Sequence, residues 1–162
     1  MAYDAFLKIE GVEGESTRDG HEGEIEILSF SWGVSNPTTI GVSSGAGAGR
    51  ASLSSFNVMK KSDKASPKLF QNCCNGAHFP KATVVLRAAG GENSLEYLKY
   101  EFEQVFVESV QWSGSQGGDD RPTESLSLAF GKVEVTYTPQ ADTGDPGAPV
   151  VAMWDQRSRT GR

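Results

Sequence analysis

Apolar and polar side chains alternate along several stretches of this chain. From Tyr3 to Ile9 every second residue is apolar, and Asp4, Lys8 and Glu10 lie on the opposite face. A period of two residues is typical of a strand with one buried face. The sequence therefore predicts that the chain begins with a half-buried strand.

The second predicted strand, Glu24 to Gly33, contains a reversal of phase. One face carries large apolar side chains and the other carries serines: Leu28, Phe30 and Trp32 against Ser29 and Ser31. Ile25 and Ile27 fall on the serine side, so the apolar positions change face near Leu28. We expect a bulge there, or a strand covered on both faces over part of its length.

The same period predicts more strands: Leu53 to Val58, Ala82 to Ala88, Leu95 to about Val107, and Ser125 to Thr138. In the third of these, one face is expected to carry Leu98, Tyr100, Phe102 and Phe106. The last changes phase at Gly131, and a glycine inside a strand is typical of a bulge or a corner. In the extended tail, residues 139–162, the patch Val150 to Trp154 is expected to dock as a short edge strand.

One helix is predicted between Ser66 and Gly76. Ser66 is a good N-cap, Pro67 is favoured at the first helical position, and Gly76 can adopt the left-handed C-cap conformation. Leu69, Phe70 and Cys73 are expected to share one face at helical spacing.

Glycine and proline separate these elements. Gly90-Gly91 is a natural tight turn, and residues 36–50 form a long flexible loop that either binds something or stays disordered. Many strands, two corners and one helix predict a mainly β fold, a small antiparallel β-barrel or sandwich with one flanking α-helix. The length of 162 residues fits a single domain, 1–162.

Charge and composition exclude several classes of protein. The net charge of −6 argues against a nucleic-acid binder and against attraction to a membrane surface. No apolar run reaches the ~18 residues of a membrane-spanning helix. The N-terminus has no basic segment followed by an apolar one, so we expect synthesis in the cytoplasm without a signal peptide.

The residues that could carry chemistry do not form a catalytic or metal-binding set. The run Gly45 to Gly49 has no following Lys-Ser or Lys-Thr pair and no following helix, so nucleotide binding is disfavoured. The two histidines, His21 and His78, lack the spacing of metal ligands. Cys73 and Cys74 are expected to be small helix residues, with at least one facing the core. The acidic residues Asp119, Asp120 and Glu124 are expected to form a solvated turn rather than a calcium site. We expect no catalysis, no metal and no cofactor.

A local basic spot is formed by Lys60, Lys61, Lys64 and Lys68. Such a run is usually a solvated face. Alternatively it could meet an acidic face of a neighbouring copy, for example Glu101, Glu103 or Asp119, as a head-to-tail ring requires.

Ordered motifs along the chain resemble a known family. They are Gly14-Glu15-Ser16 through His21 to Ser29-Phe30-Ser31-Trp32-Gly33, Ser66-Pro67-Lys68-Leu69, His78-Phe79-Pro80-Lys81-Ala82, Ala89-Gly90-Gly91 and Val133-Glu134-Val135-Thr136-Tyr137. From about Ala2 to Gln140 the chain resembles the haemolysin-coregulated protein family, the tube protein of bacterial type VI secretion. The segment Gln156 to Arg162, which is rich in arginine, departs from the family pattern.

The resemblance implies a β-barrel of two antiparallel sheets with one flanking helix, and a homohexameric ring that stacks with other rings into a hollow tube. Its implied partners are a valine-glycine-repeat spike protein, contractile sheath proteins and small secreted effectors that are stabilised in the ring lumen. The implied route is from the bacterial cytoplasm into the medium or a target cell. No fused toxin domain is expected.

By the same resemblance, Ser29 and Ser31 are the effector-contacting, lumen-facing candidates. The candidates for ring stacking lie in the extended loop: Val42, Gly45, Gly47, Gly49 and Arg50. Three alternatives remain open, namely a structural protein like a phage tail tube, a ligand-binding β module and an uncharacterised hydrolase.

Overall fold

A computed structural model describes residues 3–39, 47–89, 94–118 and 120–162. The elements in these ranges are β1 Tyr3–Ile9, β2 Ile25–Glu26, β3 Ser29–Ser31, β4 Val34–Ser35, β5 Thr38–Thr39, β6 Gly47–Ala48, β7 Ser52–Leu53, β8 Phe56–Lys61, α1 Ser66–Asn75, β9 His78–Ala88, β10 Glu96–Ser113, β11 Thr123–Tyr137, β12 Val150–Asp155 and β13 Thr160–Gly161. The predicted mainly β fold with one flanking helix is confirmed. The predicted turn at Gly90-Gly91 lies outside the described residues.

The main sheet is antiparallel and runs in the order β13-β12-β11-β10-β9-β1-β2. The first half of β11 pairs with β8, and β8 pairs with β3. The second half of β11 pairs with β12, so the predicted strand in the tail, Val150 to Trp154, is confirmed. Since β11 changes partner along its length, it belongs to both halves of the fold.

The segment from β2 to β3 passes from β1, which pairs with β2, to β8, which pairs with β3. The Ile27 N–H donates to the Ala5 carbonyl oxygen (3.1 Å), and the Leu28 N–H donates to the Met59 carbonyl oxygen (2.7 Å). The phase reversal in the sequence is this change of partner, from β1 to β8. Leu28 was predicted on the face of Phe30, but it is 59% exposed at the crossing point.

A second change of phase bends β10 and β11 together. Gln104 has a φ of 55°, and it lies opposite Gly131 in the register between the two strands. Phe102 is buried before this point, and Val105 and Val107 are buried after it. The corner predicted at Gly131 is therefore present, but placing Phe106 on the face of Phe102 was wrong because β10 reverses its phase at Gln104.

Helix α1 ends as predicted and begins differently. Gly76 adopts the left-handed conformation (φ 70°) and donates its N–H to the Asn72 carbonyl oxygen. The N-cap is Ala65 and not Ser66, because the Ser66 hydroxyl is turned into a buried polar cluster. Leu69 is fully buried, whereas Phe70 was wrongly placed on the core face and is 53% exposed against Trp112.

Large aromatic rings fill the space between the two halves of the fold. They are Phe30, Trp32, Phe56, Tyr100, Phe102 and Phe130. Their ring centroids lie 4.7 to 6.3 Å apart in stacked, tilted and edge-on pairs. Such contacts stabilise a core beyond the burial of area alone, so the strands that border them have fixed positions.

Candidate functional site

Eight neighbouring positions on the outer side of four strands carry no charge. The register between β3, β8, β11 and β10 aligns Ser31 with Asn57, Ser127 and Ser109, and Ser29 with Met59, Ser125 and Gln111. We call these eight residues the uncharged face. In a chain of which 22% is charged, eight neighbouring side chains without one ionisable group form a distinct surface.

Strand geometry explains why these residues point outward. Successive side chains in a strand alternate between the two faces, and the alternate positions Val58 and Leu126 are each 1% exposed in the core. Ser29 and Ser31 are both exposed on either side of Phe30, which stacks on Phe56 with centroids 5.5 Å apart. The face is therefore fixed from behind by the aromatic core.

Hydrogen bonding across the face is sparse. The Ser127 hydroxyl donates to Asn57 Oδ1 at 2.7 Å, and the Asn57 amide donates to the Ser55 carbonyl oxygen at 3.3 Å. Most of the short side chains are free to exchange hydrogen bonds with a bound molecule. The arrangement suits contact with a polypeptide surface, and it offers no nucleophile with an adjacent base.

Sequence reasoning found two of these eight residues. Ser29 and Ser31 follow from alternation with large apolar side chains, and Ser125 and Ser127 carry the same signal around Leu126. Asn57, Ser109 and Gln111 join them through pairing between strands that are far apart in the sequence. No local pattern gives that register.

The stacking candidates lie in and beside a β-hairpin. β4 pairs with β7, and β5 pairs with β6, so the part of residues 36–50 that is described contains paired strands. The expectation of a loop without structure is wrong there, because backbone pairing extends past Pro37. Val42 and Gly45 lie outside the described residues, Gly47 lies in β6, and Gly49 and Arg50 lie at the hairpin base.

Gly49 is required by a close approach of two backbone segments. A Cβ atom added at Gly49 would lie 2.0 Å from the Pro37 carbonyl oxygen, whereas one added at Gly33 meets nothing within 4 Å. Any side chain at Gly49 would push the two sides of the hairpin base apart.

We expect Gly49→Ala to lower the thermal denaturation midpoint and to weaken the ring stacking that the family resemblance implies, because the clash displaces the base of the hairpin. Gly33→Ala is the matched control and is expected to leave both unchanged. Differential scanning fluorimetry and sedimentation of stacked rings measure the two effects. Equal behaviour of the two variants would show that the close approach has no role.

The predicted basic spot is divided by the fold. Lys60 is fully buried, and its Nζ lies 3.0 Å from Asp63 Oδ1 and 3.3 Å from Glu124 Oε2. The Ser66 hydroxyl donates to the same Glu124 carboxylate. Describing Lys60 as part of a solvated face and Glu124 as part of a solvated turn was wrong, because each points inward and neutralises the other.

A second buried polar contact joins the loop after β1 to β10. His21 is 4% exposed, and its ring stacks on Phe6 at 4.3 Å between centroids. Its Nδ1 lies 3.0 Å from Glu24 Oε2 and its Nε2 lies 2.7 Å from Glu96 Oε1. The histidine therefore anchors this loop to the sheet.

The described residues contain no group of three or more His, Cys, Asp or Glu side chains that could hold a metal ion. Cys74 is exposed, Cys73 packs against the core with its Sγ 3.6 Å from the Glu108 carbonyl oxygen, and both are free thiols. No helix within the described ranges is long and apolar enough to cross a membrane.

Comparison with known proteins assigns the fold and these motifs to one family. A family model described as "Type VI secretion system effector, Hcp" matches residues 6–137. The chain is also 42% identical over 158 residues to the Pseudomonas aeruginosa protein named "Protein hcp1", and the match covers 97% of each chain. The chain belongs to the Hcp family.

Solved structures of Hcp proteins have the same fold. A structure titled "Structure of a type six secretion system protein" is 34% identical, with a TM-score of 0.94 over 99% of this chain and 100% of the other. Hcp1 from Salmonella typhimurium is 38% identical, with a TM-score of 0.81 over the whole of both chains. The resemblance stated from the sequence motifs is thus confirmed, and this Hcp chain belongs to a family of secreted structural proteins.

Proposed function

We propose that this protein is a subunit of the type VI secretion tube, which forms homohexameric rings that stack into a hollow tube. The observation that carries the proposal is the uncharged face, a continuous polar surface on four strands that are backed by a rigid aromatic core. Placed on the inside of a ring, this face would line the lumen. Ser29 and Ser31 would then contact the cargo.

The cargo would be small secreted effectors, which the ring holds and stabilises before export. A surface of serine, asparagine and glutamine side chains around one methionine, Met59, binds mainly by hydrogen bonds and releases its partner without breaking buried ion pairs. We infer that the protein acts by assembly and cargo binding, without catalysis, as a single domain over residues 1–162. It would be made in the bacterial cytoplasm and exported with the tube.

Other partners follow from the same proposal. The tube would be capped by a valine-glycine-repeat spike protein and enclosed by contractile sheath proteins. The stacking candidates Val42, Gly45, Gly47, Gly49 and Arg50 would contact the next ring. The 42% identity to an Hcp protein over nearly the full chain supports type VI secretion over a phage tail tube.

We expect size-exclusion chromatography with light scattering to give a mass six times that of the 17.3 kDa protomer. At protein concentrations below those at which rings associate with one another, a hexameric ring would keep this mass across a tenfold range of concentration. A stable monomer at every concentration would overturn the proposal. Electron microscopy of the same fractions is the second measurement, and it should show rings with a central opening.

A further inference from the structure

A cavity lies between the hairpin base and the C-terminal strands. Its volume is about 540 Å³, and its lining residues are Asn36, Gly49, Arg50, Ala51, Trp154, Gln156 and Arg159. We call it the basic pocket. It joins an element with a proposed stacking role, the hairpin, to the arginine-rich tail.

The two arginines of the basic pocket are not neutralised. Among the described residues, neither Arg50 nor Arg159 has a carboxylate within ion-pair distance, whereas Arg157 forms a two-point contact with Asp155 through Nε (3.1 Å) and Nη2 (3.1 Å). The bonded Arg157 side chain lowers the pKa of Asp155. Asp155 is therefore already paired with Arg157. Among the described residues, the guanidinium groups of Arg50 and Arg159 remain available to bind an external anion.

The backbone at Arg159 is in an unfavourable conformation for a residue with a side chain. Its φ is 58°, in the left-handed region, at the last position of the turn between β12 and β13. Glycine is favoured there, and another residue costs on the order of 1 kcal/mol. Strained backbone positions cluster at binding sites and switch regions, and Arg159 lines the basic pocket.

An acidic surface lies on another part of the same chain. Residues 10–26 contain seven carboxylates, of which Glu13, Glu15 and Glu26 form ion pairs with Lys64, Arg121 and Arg18. Glu10, Asp19 and Glu22 are exposed and have no ion pair within the ranges that the structure describes. We call residues 10–26 the acidic loop.

The pocket and the loop lie at opposite edges of the main sheet. The basic pocket is at the β12–β13 edge and the acidic loop is beside β1 and β2. Four strand spacings separate β12 from β1, about 19 Å at about 4.8 Å each along the sheet. Two different surfaces that bind each other make a heterologous contact, and such a contact repeated without closure builds a filament.

We propose that the basic pocket is a carboxylate-binding site whose occupant is the acidic loop of a second copy, in the next ring, with Asp19 and Glu22 opposite Arg50 and Arg159. This proposal rests on the ring and tube function proposed above, and it names the partner of the hairpin. Arginine suits the role because its planar guanidinium binds a carboxylate at two points. Rings would then stack head to tail, each basic surface meeting an acidic one.

Charge reversal tests the contact. In R50E/R159E the pocket repels the loop, and in D19K/E22K the loop repels the pocket. Each variant alone is expected to form hexamers whose ring–ring association constant, from sedimentation velocity over a concentration series, is at least about tenfold below wild type, a loss of about 1.4 kcal/mol. In a mixture of the two preformed hexamers, reversed pockets meet reversed loops, so association is expected to return.

Three comparisons make the result decisive. K81E/K99E changes the net charge as much as R50E/R159E, at partly exposed positions on β9 and β10 outside both surfaces, and is expected to associate like wild type. Rings that associate unchanged in R50E/R159E, wild-type rings that do not associate at any concentration, or a mixture that stays apart would each overturn the proposal. Variants that fall to monomers would place the contact within the ring and would also overturn it, whereas a monomeric wild type would refute the ring function itself.

Discussion

Replacing Lys60 with methionine is expected to lower the free energy of unfolding by about 3 to 5 kcal/mol, because removing one partner of a buried ion pair leaves the other charge uncompensated. Lys60 is 0% exposed and Glu124 is 1% exposed. Methionine keeps most of the volume of the lysine chain, so the loss reports the missing ammonium group. Urea denaturation followed by tryptophan fluorescence, at one fixed protomer concentration, measures the change.

The matched control is Lys64→Met, four residues along the chain. The pair of Lys64 with Glu13 is 2.9 Å long, but its side chains are 51% and 75% exposed. Exposed pairs contribute about 0 to 1 kcal/mol, so this variant should unfold close to wild type. If the two variants lost the same amount, the buried cluster would have no special role.

A double variant separates the pair from its surroundings. Lys60→Met combined with Glu124→Gln removes both charges. In the wild-type protein the Ser66 hydroxyl donates to the Glu124 carboxylate, and it can still bond to the glutamine amide in the variant. Recovery of part of the lost stability is expected. It should be incomplete, because Asp63 also loses its contact with Lys60 Nζ.

The alternation of apolar side chains predicted much of the fold, and the reason is local. β11 buries every second residue over most of its length, so its period is visible in the sequence. β1 buries Leu7 and Ile9 on the predicted face, but Phe6 on its other face is also buried, against His21. The same rule applied to β8 would have placed Lys60 beside Phe56 and Val58 on the buried face. The run of lysines concealed that signal, because a charged residue is ordinarily solvated.

The remaining features depend on contacts between distant residues. The phase reversal at Gln104 requires a positive φ at a residue that rarely adopts one, and only Gly131 on the opposite strand gave a sequence signal. The uncharged face requires the register of β3, β8, β11 and β10. Alternation predicts which side of a strand a serine occupies, and pairing decides what lies beside it.

Enlarging Ser31 to glutamine is expected to remove effectors from the ring while leaving the ring intact. Ser31 is exposed at the end of the short strand β3, and its backbone is held by pairing with Asn57. A longer side chain would therefore extend into the space beyond the face, once in each protomer. We expect recovery of the small proteins that co-purify with rings from the native cell, quantified by mass spectrometry, to fall at least about tenfold, or about 1.4 kcal/mol of binding free energy.

Further variants separate the effect of added side-chain bulk from the effect of losing the Ser31 hydroxyl. Ser31→Ala removes the hydroxyl without adding bulk and should retain most of the cargo, whereas Ser29→Gln adds the same bulk to the neighbouring row and should act like Ser31→Gln. Ser115→Gln makes the same change in an exposed loop outside the face and is the matched control. Because the aromatic core behind Phe30 fixes the strand, the face cannot retreat to accommodate the added atoms. Unchanged cargo in Ser31→Gln rings of normal mass would therefore mean that this face does not line the lumen.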